Sequence, residues 1–363
     1  MPKICGDIWL EIQKSMKIKI LKFSLCLSVM VFTFISCKSD DDSGSAAVPP
    51  RDRAEQQIDD KEILLNYLST HYYNSSFFET GTNHRIEDII ISELTDGETV
   101  PEGSTLLIDS DFLETETVEY QDTDYEYYIL RLNQGGGKSP NFTDNVRVRY
   151  EGSNVDSEDV FQVISTPQNL LLQGDGFNRS GAIEAWKLVI PSFNTAENFE
   201  NGTDGITNYN NYGFGVMFVP SGLAYFSSFT LGIPQYSNLV FKFELLQFEI
   251  IDHDTDGIPS YVENINGDRD VFDDDTDEDG TPDFIDFDDD NDGVATFNEL
   301  VQNTIIFNEG EEEPVLGENE YERSRNTEAG VITINTVIAI DANGNGILDY
   351  LDDTATVNYN EES

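Results

Sequence analysis

One twelve-residue frame is written four times toward the C-terminus of this 363-residue chain. In its first copy Asp252, Asp254 and Asp256 hold positions 1, 3 and 5, Gly257 position 6 and Glu263 position 12. The frame returns at Asp275, Asp277, Asp279, Gly280 and Asp286, then at Asp288, Asp290, Asp292, Gly293 and Glu299. It returns again, with amides, at Asp341, Asn343, Asn345, Gly346 and Asp352. Alternate carboxylates ahead of a sharply turning glycine, closed by a late carboxylate, supply the roughly six to eight oxygens a hard cation wants. Nineteen carboxyl groups fall between 252 and 299, and at neutral pH their repulsion would hold that stretch open unless a cation neutralised it. Calcium in a structural role is therefore expected, with the region extended in chelator and compact in calcium. The alternative, a disordered acidic tail, gives no reason for glycine to stand four times at position 6.

The whole chain has 70 acidic against 20 basic residues and a formal net charge of -50. That argues against nucleic acid or an anionic lipid surface as a partner, and for cations. Hydrophobic residues still make up 38%, enough for an ordinary core and more than one domain. The acidic frames resemble thrombospondin type 3 repeats, with dockerin-like or EF-hand-like loops the nearest relatives. The resemblance implies calcium wrapped by loops of little regular structure. Pro259 and Pro282, just after the turn glycines, argue against the flanking helices of an EF-hand. Within the tail, "VITINTVIAI" alternates like a strand that pairs inside the tail or with a partner.

At the other end, Lys14, Lys17, Lys19 and Lys22 precede "FSLCLSVMVFTFIS", an apolar run of signal-peptide length and short for a membrane span. "MKIKIL" at Met16 reads as a more natural start than Met1. Ser36 before Cys37 resembles a loose lipobox, with Phe34 and Ile35 as the departure, which implies lipidation of Cys37. The lysine, serine and acidic residues after it resemble a bacterial surface-export tag. The expected order is signal peptide 1–37, tether 38–53, helical extension 54–119, a strand domain 120–251, and acidic repeats with tail 252–363. The location implied is the outer membrane, facing periplasm or cell surface. Cys5, Cys26 and Cys37 leave no structural disulfide. His71, His84 and His253 are too scattered for zinc, and no Ser/His/Asp signature or phosphate loop occurs.

"DDKEILLNYLSTHYYN" places Ile63, Leu64, Tyr67, Leu68 and Tyr72 on one face of a short helix, read as docking onto the next domain. From about 120 to 250, "EYYILRL", "VRVRY", "LLLQ", "AWKLVI", "GVMFV" and "LVFKFELLQFEI" read as strands of a compact antiparallel sheet, separated by Gly, Asn, Asp and Pro turns. The apolar "MFVPSGLAY" stands out in so acidic a chain.

The ordered segments "NVRVRYEGSNVDSEDVFQ", "AIEAWKLVIPSF", "MFVPSGLAYF" and "GIPQYSNLVFKFELLQFE" together resemble the FKBP-type peptidyl-prolyl cis-trans isomerases, including lipoprotein members with a helical segment ahead of the domain. The implied class is α+β, an FKBP-like curved antiparallel sheet around a short helix. The resemblance implies a pocket of Tyr150, Phe161, Ile183, Trp186, Tyr225, Ile233 and Phe241. Trp186 would be its floor, the Ile183 N–H and Tyr225 hydroxyl its donors, and Phe226 to Pro234 its rim. It implies rotamase activity on proline-containing exported polypeptides without a catalytic cofactor. Three features depart from the family. Gln162 stands where Asp is usual, putting one polar pocket contact in question; Ala185 replaces a glycine, with crowding of the backbone expected; Phe226 replaces another, with a bulkier rim expected; and the 190–216 connection is long. Weak binding of macrolide inhibitors is the expected consequence. A catalytically weak binding or chaperone module, or a calcium-stiffened surface protein, are the other functions these residues permit.

Overall fold

The computed structural model describes residues 49–203 and 205–360. The export segment, Cys37 and most of the tether lie outside them. No helix among the described residues is long and apolar enough to cross a membrane.

Asp52 opens the first helix, Arg53–Thr70, its carboxylate accepting the Glu55 N–H at 3.0 Å in place of the missing helical carbonyl. The helix ends before Tyr72, which lies instead on strand β1 (His71–Tyr73) between β2 (Ile91–Glu93) and β3 (Thr105–Leu106). The aromatic "HYY" finds ladder partners there, and that pairing outweighs continuing the helix.

Strands β4 (Leu113–Tyr120), β5 (Thr123–Asn133), β6 (Asn145–Asn154), β7 (Val160–Leu171), β10 (Gly213–Val219) and β11 (Leu239–Glu249) form one sheet in the order β4-β5-β10-β11-β6-β7, every pairing antiparallel. The sheet begins at Leu113, ahead of the expected boundary at 120, because "LETETVEY" pairs as the edge strand along β5. "AWKLVI" is not a strand. It forms the short helix Glu184–Val189, which buries Ala185, Trp186, Leu188 and Val189. So short an apolar run fits either a buried helix or a strand, and periodicity does not separate them.

Alternation along the strands divides the core in two. Tyr125, Tyr127, Ile129, Val146, Val148, Met217, Val219, Phe241, Phe243 and Leu245 face the short helix. Tyr128, Leu130, Phe214, Val216, Phe218 and Val240 face the opposite way, onto Leu64, Tyr67 and Leu68 of the first helix. Ile63 is only partly buried. Both faces are thus covered, and β10 is buried at every position, which is why the sequence around 217 is so apolar. Each fully buried Val, Leu, Met or Phe contributes about 1.5–3 kcal/mol of transfer free energy. The long 190–216 connection forms a hairpin, β8 (Asn198–Asn201) with β9 (Thr207–Asn210), and its Tyr209 and Tyr212 pack into the core facing the first helix. The hairpin is therefore on the side of the sheet away from the short helix, while Ile190 and Phe193 at the start of the connection stay in the core on the short-helix side.

The acidic region is more regular than expected. Between its third and fourth frames β12 (Leu300–Asn308), β13 (Glu320–Glu328) and β14 (Val331–Ala339) make an antiparallel sheet in the order β12-β14-β13. "VITINTVIAI" is its central strand, so it pairs within the tail. The frames end in single 3-10 turns at Asp283–Ile285, Thr296–Glu299 and Asp349–Leu351 rather than α-helices. The repeats are docked against the segment that follows β7. His253 Nε2 bonds the Gln173 carbonyl at 3.1 Å, so that nitrogen carries the proton and Nδ1 accepts from Ser260 Oγ at 2.8 Å. The Phe284 ring meets His253 and Phe272 edge-on, at 5.2 and 5.0 Å between centroids.

Candidate functional site

The seven residues of the expected pocket all belong to the core on the short-helix side of the sheet. Tyr150 comes from β6, Phe161 from β7, Phe241 from β11, and Trp186 from the short helix. Their rings interlock edge to face. Centroids are 5.1 Å apart for Tyr150 and Trp186, 5.4 Å for Trp186 and Phe241, and 5.7 Å for Phe161 and Phe241. Aromatic quadrupoles favour this arrangement. Trp186 and Phe241 are each 3% exposed, whereas Tyr150, Phe161, Ile183 and Tyr225 are half-buried, so the cluster has an open side. Burial pushes the Tyr225 phenol up, and burial followed by the neighbouring Tyr225 pushes Tyr150 up. Both hydroxyls are therefore neutral donors at physiological pH. Gly152 makes the close packing possible, since a Cβ there would stand 2.6 Å from Phe161 Cζ and 2.9 Å from Phe241 Cε1. Ile233 is buried, its N–H bonded to Thr230 at 3.0 Å, and Ile183 precedes the short helix, its carbonyl accepting the Trp186 N–H at 3.0 Å.

Gln162, at the family's Asp position, is exposed. Phe226 does not enlarge the rim as expected. It has φ 48°, is buried, and turns toward Tyr236 (5.2 Å, edge-on) and the Arg53 guanidinium (4.3 Å above its ring). The cation above the aromatic face favours that inward position. Ala185 is fully buried within the short helix, whose backbone accepts it. The exposed apolar residues of the rim are instead Phe229 and Leu231, 80% and 90% accessible.

Within each of the first three frames a triad brings one oxygen from each member within 4.8 Å of the others: Asp252/Asp254/Asp256, Asp275/Asp277/Asp279 and Asp288/Asp290/Asp292. Oxygens bound at about 2.4 Å to a common ion lie no more than about 4.8 Å apart, so each triad can share one hard cation. The frames share more than their acids. In the four copies the position-9 side chain accepts the position-2 N–H: His253 to Ser260, Thr276 to Asp283, Asp289 to Thr296 and Ala342 to Asp349, at 2.8–3.2 Å. The position-12 groups differ. Glu263 and Glu299 are buried with all four carboxylate oxygens unpaired. Burial, then Asp290, Asp292 and Asp288, pushes Glu299 up to about 9. Asp286 accepts the N–H groups of Phe287 and Asp288. In the fourth copy Asp341 accepts the Gly344 and Gly346 N–H groups, while Asp352 takes hydrogen bonds from Thr354, Asn343 and Asn345. Hydrogen bonds close this loop, whereas the first and third frames converge on buried carboxylate oxygens without partners.

A family model described as BamM C-terminal matches residues 253–327, a description different from that of thrombospondin type 3 repeats. No curated protein matches the sequence. Among solved structures, part of the chain is similar to a peptidyl-prolyl cis-trans isomerase from Pseudomonas syringae pv. tomato, at 21% identity over 37% of this chain and 80% of that one, TM-score 0.27. It is similar also to FkpA from Escherichia coli, at 22% identity over 39% of this chain and 53% of that one, TM-score 0.28. A third is the N-terminal domain of FKBP42 from Arabidopsis thaliana, at 15% identity over 42% of this chain and 99% of that one, TM-score 0.28.

Two sets of residues escaped the sequence reading. Asp60, fully buried on the first helix, accepts the Ser221 N–H (2.9 Å), the Ser221 hydroxyl (2.6 Å) and Gln56 Nε2 (2.7 Å). It anchors the turn whose Ser221 carbonyl takes the N–H groups of Ala224 and Phe226, on either side of Tyr225. A carboxylate four residues before Leu64, on the apolar face of the helix, was the available signal. The second set is a fifth frame at Asn264, Asn266 and Asp268. The Arg269 N–H reaches Asn264 Oδ1 at 3.2 Å, and the Asp268 and Asp270 N–H groups bond the side chains two residues back, as in the other frames. Its position 6 is Arg269 at φ 76°, so a search for glycine passes over it.

Proposed function

We propose that the chain is a peptidyl-prolyl cis-trans isomerase whose aromatic cup accepts proline, carried beside calcium-binding frames that stiffen it. The convergence of Tyr150, Phe161, Trp186, Tyr225 and Phe241 on one half-open apolar site carries this reading. Twisting an X-Pro amide costs about 18–20 kcal/mol because resonance is lost. No proton has to move, and the cup contains no carboxylate pair or nucleophile. An apolar aromatic wall lowers the barrier by excluding water from the amide and fitting its twisted form better than either planar isomer. The neutral Tyr225 hydroxyl and the Ile183 N–H are the groups offered to the peptide carbonyls. Phe241 and Ile233 complete the wall on which the proline ring rests.

The calcium reading draws support from the oxygen-only triads and the unpaired buried carboxylates of Glu263 and Glu299. Calcium held there would neutralise the acidic loops and fix them against the sheet. The natural partners on this reading are proline-containing exported polypeptides, met by a lipoprotein anchored through Cys37 in the outer membrane. The apolar rim residues Phe229 and Leu231 favour a second function, holding unfolded chains with weak turnover.

Turnover of a short X-Pro peptide, measured on the chain from Lys38 onward and on a Tyr225→Phe, Trp186→Ala variant, tests the assignment. Catalysis lost in a folded variant is the expected result. A calcium-loaded, folded wild type that leaves the uncatalysed rate unchanged would overturn the enzyme reading in favour of the binding module.

A further inference from the structure

Asp289 belongs neither to the cup nor to a ligand position of its frame. It stands at position 2, where the other copies of the glycine frame carry His253, Thr276 and Ala342. Its N–H is satisfied by Thr296 Oγ1 at 3.2 Å, but its side chain is 1% exposed and neither carboxylate oxygen has a hydrogen-bond partner. One oxygen each of Asp289, Asp256 and Glu263 lies within 4.8 Å of the others. Glu263 is 0% exposed with both oxygens unpaired, and Asp256 spends Oδ1 on the Ile258 N–H at 2.8 Å while Oδ2 stays unpaired. Arg323 bears on Asp256 electrostatically, but its guanidinium lies over the Phe297 ring at 4.6 Å and makes no ion pair with the three among the described residues. Buried Tyr350, from the fourth frame, packs beside them.

Three dry carboxylates cannot stay together as bare anions, since each unpaired buried charge costs several kcal/mol. Their donors are all hard oxygens, and their spacing suits an ion held at about 2.4 Å. We propose that Asp256, Glu263 and Asp289 bind one divalent cation, calcium by its oxygen preference, in a site that staples the first frame to the third. This rests on the calcium reading above. Asp256 and Glu263 are also positions 5 and 12 of the first frame, so the ion shares carboxylates with that loop, and Asp289 adds the third frame; cation binding there fixes the relative placement of two frames distant in sequence as well as the shape of one loop.

The test is calcium stoichiometry by native mass spectrometry, with calorimetric melting in calcium and in EGTA, on the full chain. Wild type is compared with Asp289→Asn, Asp289→Glu and, as an ordinary loop ligand, Asp277→Asn. Asp289→Asn is expected to carry one calcium fewer than wild type and to melt below it in calcium. In chelator it should melt at or above wild type, because the amide removes a carboxyl group that the buried site otherwise holds without a partner. Asp289→Glu should regain the ion, and Asp277→Asn should show no gain in chelator. Unchanged stoichiometry in Asp289→Asn overturns the inter-frame site and leaves the loop sites standing. An Asp289→Asn chain that fails to fold even in chelator makes the carboxylate structural and also overturns it. A wild type that binds no calcium removes the calcium reading itself.

Discussion

Gly152→Ala is a sharp probe of the aromatic cup. The glycine sits on β6 opposite Phe241 and Gln162, and the added methyl would lie 2.6 and 2.7 Å from Phe161 Cζ and Cε2 and 2.9 Å from Phe241 Cε1. Carbon atoms pack at about 3.5–4.0 Å, so both rings must retreat by roughly 0.6–1 Å. Overpacking of this kind costs about 1–3 kcal/mol. The alanine recovers about 0.4–1 kcal/mol by restricting the unfolded chain. Net destabilisation of about 0.5–2 kcal/mol is expected, small enough to leave the protein folded. Turnover should suffer more, because a misplacement near 1 Å at a reacting site can remove about a hundredfold. A fall in kcat/KM of roughly ten- to a hundredfold, about 1.4–2.7 kcal/mol of transition-state stabilisation, is the expected result. The assay is exchange spectroscopy on an X-Pro peptide, beside a thermal melt. Wild-type turnover in the folded variant would refute the placement of chemistry in this cup. An unchanged melting temperature would refute the packing argument.

Asp60→Ala leaves the buried N–H and hydroxyl of Ser221 without their carboxylate. It should cost about 2–4 kcal/mol by melting and loosen the Tyr225 turn, raising KM or lowering kcat; an unchanged melt would show that Asp60 holds nothing. Arg269→Gly relieves a left-handed residue and should stabilise the acidic region by up to about 1 kcal/mol in calcium, as read by melting; a loss of stability would mean the arginine side chain is itself a contact. In chelator, stability should fall with pH. Burial, then Asp256, pushes Asp289 up to about 11, and Glu263 and Glu299 are raised as well. The native state therefore keeps protons that the unfolded chain loses near pH 4. Its stability is full below that pH and declines as pH rises toward the raised values. Melts in EGTA at pH 5 and pH 9 check this, and a higher melting temperature at pH 9 would refute it. Calcium should reverse the trend, since it competes with those protons for the same oxygens.

Local chemistry made much of this protein legible in its sequence. The frames are written as Asp-x-Asp-x-Asp-Gly because an oxygen-rich turn needs alternate donors and one residue free to adopt positive φ. The pocket segments carry their aromatic residues at fixed spacing along strands whose turns are marked by Gly, Pro and Asn. Where two solutions shared one pattern, sequence was silent. "AWKLVI" is equally apolar as strand or helix, and Tyr72 fits the helical face but pairs better in a sheet. Arg269 escaped because a backbone conformation, not a residue type, defines the turn, and Asp60 because its partner is Ser221, far along the chain.

The sequence by itself determined the loops, most of the strands and the set of aromatic residues, each a matter of neighbours a few residues apart. Only the tertiary structure decided what those parts do to one another. It set the first helix on one face of the sheet and the short helix on the other, so β10 is apolar throughout. It sent the 198–210 hairpin to the face away from the cup, turned Phe226 under Arg53, and brought Asp289 to Asp256 and Glu263. Burial and charge add up across the whole fold, and a carboxylate reveals itself as unpaired only when every neighbour is in place.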